Sequence, residues 1–278
     1  MKKIILLSIV TLSSFVTFAQ DHKAQDTVKI KWKGSRVWIF DDNTASKKDS
    51  IKKTKKHKQD FVHWGGIDLG ISMLSTADNK LKIADAEDTT QMNKFLDLNY
   101  SKSLYLSLNI LEKSIHVYKN YVNIVTGLGF EWSGFNFKRN ITLPPNAPYI
   151  SAANTTSAPD SIKFTKNKLR VAYIKVPVLL ELNTNNTNSE KSFHIAGGLE
   201  FDYKIGSRSK QVYEINGYEY KIKRKDDYNL ATFKYNAVLR VGYGNYFTVF
   251  ANYALSTLFA QDKGPRVYPI NVGVAFNF

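Results

Sequence analysis

Apolar and polar residues alternate with a period of two along eight long stretches of this 278-residue chain. Such alternation is typical of a β-strand that has one apolar and one polar face. The stretches exceed the ~5–6 residues of an ordinary strand and reach the ~9–11 residues that cross a bilayer at the tilt of a barrel. The predicted strands are 62–74, 96–111, 120–134, 167–182, 191–206, 229–243, 245–259 and 267–278.

The two faces of these stretches differ in chemistry. The apolar face of the fifth is nearly unbroken and carries Phe193, Ile195, Gly197, Leu199, Phe201, Tyr203 and Ile205. The opposite faces mix small and amide residues with charges of both signs, at Asp68, Glu131, Lys175, Glu181, Glu200, Asp202, Lys204, Lys234 and Arg240. An eight-stranded barrel is just wide enough for side chains to fill it, so these charges are expected to form a structural network inside a plugged lumen.

The connections between the stretches alternate between long and short. This pattern predicts an all-β fold, an eight-stranded antiparallel up-and-down transmembrane β-barrel of the outer-membrane kind, with short periplasmic turns and longer outer loops. Because eight is even, both termini are expected in the periplasm. The chain ends in Phe278 on an outward face, which is expected to act as a signal to the barrel assembly machinery. A soluble lipocalin-type barrel is the alternative fold, and eight strands disfavour an open pore.

The first sixty residues carry an export signal and a basic arm. Lys2 and Lys3 precede an apolar run that ends in small residues, which predicts a signal peptide over 1–19 and therefore export to the bacterial outer membrane. Residues 20–60 are predicted to be a Lys-rich periplasmic segment, and 61–278 the barrel. Within the segment, 28–40 alternates like a short strand or hairpin around Gly34-Ser35.

The formal charge of the chain is +15, and its densest basic run lies in this arm. Such a run is usually a solvated tether, but it also suits contact with anionic lipid headgroups, cell-wall polymer or an acidic partner. Nucleic acid is not expected as a partner of an exported protein. The lysines proposed for this contact are Lys52, Lys53, Lys55, Lys56 and Lys58.

No catalytic, cofactor-binding or metal-binding pattern is recognisable in the sequence. The five histidines lack metal-type spacing, and there is no cysteine. Gly127-Leu-Gly129 and Gly242-Tyr-Gly244 lack the continuation of a phosphate-binding loop. His194 is predicted to face inward beside Glu200 and Asp202. A lipid-modifying enzyme remains an alternative through Ser207, Arg208 and Ser209 near a barrel lip, although no histidine accompanies them in the sequence.

Four stretches resemble the PorT-type outer-membrane β-barrel family of Bacteroidetes. They are HWGGIDLGIS (63–72), YIKVPVLLELN (173–183), FHIAGGLEFDYKIG (193–206) and VGVAFNF (272–278). The resemblance covers about residues 61–278 and implies an outer-membrane barrel without a catalytic set. Founding members of that family are linked to protein secretion across the outer membrane.

These observations favour a non-enzymatic outer-membrane barrel with a structural or interaction role and no cofactor. The alternatives are an accessory component of outer-membrane protein secretion and a lipid-modifying enzyme. The expected partners are outer-membrane lipid, the barrel assembly machinery, and periplasmic or secretion-system proteins.

Overall fold

The computed structural model describes residues 31–32, 35–36, 63–77, 96–151, 156–157 and 163–277. The chain forms two compact units, Met1–Lys56 and His57–Phe278. In the first unit, strands β1 (Lys31–Trp32) and β2 (Ser35–Arg36) pair antiparallel, in agreement with the hairpin predicted there. The predicted signal peptide, Phe278 and the arm lysines Lys52, Lys53, Lys55, Lys56 and Lys58 lie outside the described residues.

The described part of the second unit is almost entirely β-structure. Its strands are β3 (Gly66–Thr76), β4 (Leu104–Tyr118), β5 (Val122–Asn136), β6 (Ile141–Thr142), β7 (Thr156–Ser157), β8 (Phe164–Asn183), β9 (Phe193–Ile215), β10 (Tyr218–Lys225), β11 (Phe233–Tyr243), β12 (Phe247–Ala254) and β13 (Val267–Asn277). No helix among the described residues is long and apolar enough to cross a membrane.

Eight of the described strands close into a ring. Strands β3, β4, β5, β8, β9, β11, β12 and β13 pair antiparallel in that order, and β13 pairs back to β3. The predicted eight-stranded up-and-down barrel is therefore confirmed. Short connections at 119–121, 184–192 and 244–246 define what we call the short-turn end, and the connections at 77–103, 137–163 and 255–266 define the long-loop end.

The side chains follow the predicted alternation. Leu199, Phe201 and Leu239 on the outside are each 41–50% exposed, whereas Glu200 and Arg240, their neighbours in sequence, are buried. A continuous exposed apolar belt of this kind is stable only against lipid. The soluble lipocalin-type alternative, which needs the apolar faces inward, is therefore wrong.

Several strand boundaries differ from those predicted. The first ring strand begins at Gly66 rather than at 62, and the second spans 104–118 rather than 96–111, because 96–103 belong to a long connection. The segment 207–228, predicted as a polar loop, instead continues β9 to Ile215 and returns as β10. The turn between them is Asn216-Gly217, whose φ angles of 53° and 80° suit a two-residue hairpin.

A β-bulge explains why the alternation did not predict the continuation of β9 beyond residue 206. Ala172 of β8 pairs with Gly206, but Tyr173 pairs with Lys204, so β9 carries one extra residue, Ile205. An extra residue reverses which side chains face outward along the rest of a strand. The alternation is therefore broken in sequence while the strand continues in space.

Candidate functional site

The central layer of the lumen is a network of buried charges. Arg240 of β11 reaches across to Asp68 of β3 with two parallel hydrogen bonds, Nη1 to Oδ2 at 3.1 Å and Nη2 to Oδ1 at 3.2 Å. The Nζ of Lys175 on β8 lies 3.6 Å from the same Oδ2 and 3.2 Å from Oε2 of Glu200. These contacts tie four ring strands together through the middle of the barrel.

A second group lies beside the first. The Nζ of Lys234 is 2.7 Å from Oε1 of Glu131 and 3.0 Å from Oδ2 of Asp202. It also lies 4.4 Å from the ring centroid of Tyr173, a cation–π distance. Asn236 donates to Asp202 at 2.7 Å. The ammonium is thus surrounded by groups that compensate its removal from water.

Three acids of this layer come close enough to hold a metal ion. One carboxylate oxygen from each of Glu131, Glu200 and Asp202 lies within 4.8 Å of the others. Lys175 and Lys234 already contact all three carboxylates, so the protein itself supplies the neutralising positive charge. This arrangement fits a structural ion-pair network better than a metal centre.

Below the charges, toward the short-turn end, two histidine rings are stacked. His63 and His194 are parallel within 7° with centroids 4.0 Å apart. Nδ1 of His63 lies 3.2 Å from Oε1 of Glu181, and Nε2 of His194 lies 3.0 Å from the hydroxyl of Thr248. His194 faces the lumen, as predicted. The predicted proximity to Glu200 and Asp202 is wrong, because His194 lies near the start of β9, six and eight residues before those acids.

Two inward glycines make room for the rings of this layer. A Cβ on Gly127 would lie 2.6 Å from Cζ3 of Trp64, and one on Gly242 would lie 2.5 Å from Nε2 of His194. Both distances are far below van der Waals contact. Gly127 and Gly242, the first residues of the two Gly-x-Gly pairs, therefore mark where the lumen must accommodate large side chains.

We predict that Glu112→Gln loosens this end of the barrel. The carboxylate of Glu112 accepts three backbone N–H groups, from His63 at 3.3 Å, Trp64 at 3.0 Å and Gly65 at 2.6 Å. Charge-assisted hydrogen bonds contribute about 1.5–3 kcal/mol each, and the amide retains only part of them. Amide hydrogen exchange at residues 63–65 should accelerate at least tenfold, with Glu190→Gln as the control. Unchanged exchange at 63–65 would contradict the role assigned to Glu112.

An apolar layer closes the lumen at the long-loop end. It is formed by inward side chains of the ring and by the long connections, with members that include Leu74, Phe135, Leu169, Leu230 and Phe259. Lys204, predicted to join the inward charges, instead lies at this rim, where it pairs with Asp227 and donates to the carbonyl of Leu230 at 2.6 Å. The other eight predicted network residues are all buried.

At the rim and above it, β8, β9 and β10 form a sheet, which we call the extension. It consists of residues 164–172 of β8, 206–215 of β9 and all of β10. Its lower part, residues 168–172 of β8, also pairs with β5. Ser207 donates to the carbonyl of Asp226, and the hydroxyls of Ser209 and Tyr228 are 2.8 Å apart. These serines hydrogen-bond the connection that follows β10. The described histidines lie toward the opposite end of the barrel, so none of them accompanies these serines.

An open groove of about 570 Å³ also lies at the long-loop end. Most of its wall comes from the β12–β13 connection, including Asp262 and Arg266. Three tyrosines from other elements complete it, namely Tyr149, Tyr235 and Tyr268. The groove therefore adds an exposed aromatic and polar surface to this end of the barrel.

Comparisons with known proteins give one similar structure and one family match. The chain is similar to the crystal structure of Ail, the attachment invasion locus protein of Yersinia pestis, at 12% identity and a TM-score of 0.29, over 77% of this chain and 99% of that one. No curated protein matches the sequence. The model of the family described as "Outer membrane protein beta-barrel domain" matches residues 57–259. Because this match covers more than half of the chain, the protein belongs to the outer membrane protein beta-barrel domain family.

Proposed function

We propose that this protein is a non-enzymatic outer-membrane barrel with an interaction role, carried by its long-loop end. In this proposal the leader over 1–19 directs export, the long-loop end faces the outside of the cell, and both termini lie in the periplasm. The orientation follows the rule that outer-membrane barrels place short turns in the periplasm and longer loops outside.

The filled lumen supports a role other than transport. The stacked histidines, the charge network and the apolar layer occupy successive levels along the barrel axis. An eight-stranded barrel has space for such side chains and little more. The serines near the rim are engaged in hydrogen bonds that hold backbone and tyrosine, which supports a structural role for them rather than nucleophilic chemistry.

The observation that carries the proposal is the aromatic tip of the extension. Phe164, Tyr213 and Tyr220 form a row of rings across its three strands. Phe164 meets Tyr213 edge-to-face at 6.0 Å between centroids, and Tyr213 stacks on Tyr220 at 5.5 Å. Tyr218 beside them is 71% exposed, and Ile215 is 38% exposed. Tyrosine-rich patches on a rigid support are typical of protein-binding surfaces, because each ring contributes large contact area at low entropic cost. We therefore assign a protein partner to this tip.

Site-specific photocrosslinking in intact cells tests this assignment. A benzophenone amino acid in place of Tyr218 should give a discrete protein adduct, and Tyr220→Ser in the same chain should weaken that adduct. The control places the same group at Tyr246, which is 69% exposed but lies in a connection at the short-turn end. Absence of an adduct at Tyr218 would exclude a stable partner at the tip.

An accessory role in outer-membrane protein secretion, as in PorT-type relatives, is the second candidate. It rests on the sequence resemblance and on the basic arm, which would meet periplasmic components. Adducts at Tyr246 without any at Tyr218 would favour this role over the one proposed here.

A further inference from the structure

The outward face of the extension carries two rows of cations. Strand register places the side chains of each row directly opposite one another, in the rows Arg170–Arg208–Lys225 and Lys168–Lys210–Lys223. Opposed residues on neighbouring strands have Cβ atoms about 4.5–5.5 Å apart, and like charges in such pairs are destabilising. An array of six cations is therefore costly to the fold unless something else stabilises it.

The bulge at Ile205 is what assembles this array. Leu169 and Val171 of β8 point into the apolar layer. Their neighbours along the strand, Lys168 and Arg170, therefore point away from it. On β9 the extra residue shifts the outward positions to even numbers, which brings Arg208 and Lys210 into register with those two side chains. Five of the six cations line a single surface depression of about 120 Å³, namely Lys168, Arg170, Arg208, Lys210 and Lys223.

The array lacks neutralising acids. No described carboxylate lies within ion-pair distance of any of the six, and on β10 the exposed pair is Lys221 with Glu219, outside the two rows. Partial burial, followed by the charges of Arg170 and Lys210, lowers the pKa of Lys168 below its ordinary value. Among the described residues, this surface therefore has no counter-charge of its own.

The height of the array on the barrel indicates where that counter-charge lies. Trp132 of β5 pairs with Ala172 of β8, which pairs in turn with Gly206 of β9. The first row of cations lies two residues further along these strands toward the long-loop end. Trp132 faces outward, and Tyr203 packs against Phe233 with ring centroids 5.2 Å apart. Exposed aromatic rings of this kind mark the membrane–water interface of a barrel. Two residues of strand rise about 7 Å, so the cations lie at headgroup level, directly above the apolar belt.

We propose that this array, named here the cation face, binds the phosphate groups of a lipid A-type glycolipid in the outer leaflet. Arginine and lysine recognise phosphate through charge-assisted hydrogen bonds, and clustered basic residues beside a membrane segment bind anionic headgroups. A lipid also fits the belt below, where the acyl chains would lie against exposed apolar side chains. The inference rests on the outward orientation of the long-loop end proposed above, but not on a protein partner at the tip.

Native mass spectrometry of the full barrel in zwitterionic detergent tests the proposal, with bis-phosphorylated lipid A as the probe. The variant is Lys168→Gln/Arg170→Gln/Arg208→Gln/Lys210→Gln. Its dissociation constant for lipid A should rise at least about tenfold. The control, Lys102→Gln/Arg139→Gln/Lys263→Gln/Arg266→Gln, removes the same charge from exposed positions at the long-loop end and should bind as the parent does. Removal of opposed like charges should not impair folding, which heat-dependent gel migration verifies.

Three results would overturn the proposal. The first is equal binding of dephosphorylated lipid A, and the second is equal weakening by the control variant. The third is preference for cardiolipin or for a soluble sulfated polysaccharide over lipid A, which would assign the cation face to the inner leaflet or to a soluble polyanion. Crosslinking at Tyr218 provides the independent readout, because it tests the protein-binding tip whether or not lipid A binds.

Discussion

Lys234→Met should lower the free energy of unfolding of this barrel by about 3–5 kcal/mol, the cost of leaving buried charges without their partner. Lys234 is the cation closest to Glu131, at 2.7 Å, and to Asp202, at 3.0 Å. Those two carboxylates and Glu200 lie within 4.8 Å of one another. Without the ammonium of Lys234, the three acids share only the charge of Lys175 in a lumen closed to bulk water.

The measurement is urea unfolding in lipid vesicles, followed by tryptophan fluorescence and by heat-dependent gel migration. Lys204→Met is the matched control, because Lys204 also follows the inward alternation but pairs with Asp227, whose side chain is 67% exposed. Exposed ion pairs contribute at most about 1 kcal/mol. Equal losses for the two variants would show that the central network contributes no more than a rim contact.

Alternation alone predicted the faces of the strands, and the structure buries eight of the nine charges that this pattern placed inside. This part of the fold is local, since a strand with one lipid-facing side repeats every two residues whatever its neighbours are. Lys204 is the exception because, although it follows the inward alternation, it lies at the rim beside the bulge at Ile205 and pairs there with Asp227. A bulge adds a residue without a compositional mark, so sequence alternation cannot locate it.

The pairing inside the lumen could not be predicted in the same way. Asp68 and Arg240 are 172 residues apart, and their contact depends on the register of every strand between them. His63 and Trp64, whose side chains fill the lumen near the short-turn end, were predicted as part of the first strand. In the structure they precede it, so strand alternation could not assign their orientation. The sequence indicates their position in the lumen only indirectly, through inward glycines such as Gly127, which leave space for an aromatic ring.

The strand pairing in the extension could not be predicted from alternation either. Its polar composition is typical of a loop, yet the Asn216-Gly217 turn is a recognised hairpin signal that could have identified β10. Like charges such as Lys168 and Lys210 argue against strand pairing on local grounds. Where a local rule is broken in this way, a functional site is the first explanation to test, and the cation face is that explanation here.

A double-mutant cycle on Asp68 and Arg240 should separate the cost of a broken pair from the contribution of the pair itself. Asp68→Leu and Arg240→Met should each destabilise the barrel by about 3–5 kcal/mol, because each leaves the partner's charge buried without the two hydrogen bonds that join the pair. The double variant Asp68→Leu/Arg240→Met removes both charges and keeps the volume filled. It should recover to within about 1–2 kcal/mol of the parent, since Lys175 retains Glu200 at 3.2 Å.

The same urea titration in vesicles measures all three variants, with the exposed Glu219→Gln as a neutral reference. If the double variant were as unstable as Asp68→Leu or Arg240→Met, the ion pair would contribute net stability to the lumen. If it recovered as expected, the pair would instead be a device for fixing the register of β3 against β11 across the barrel. Proteins retain buried charges for such specificity even where apolar residues of the same size would stabilise them equally, because a misregistered strand leaves each charge without its partner.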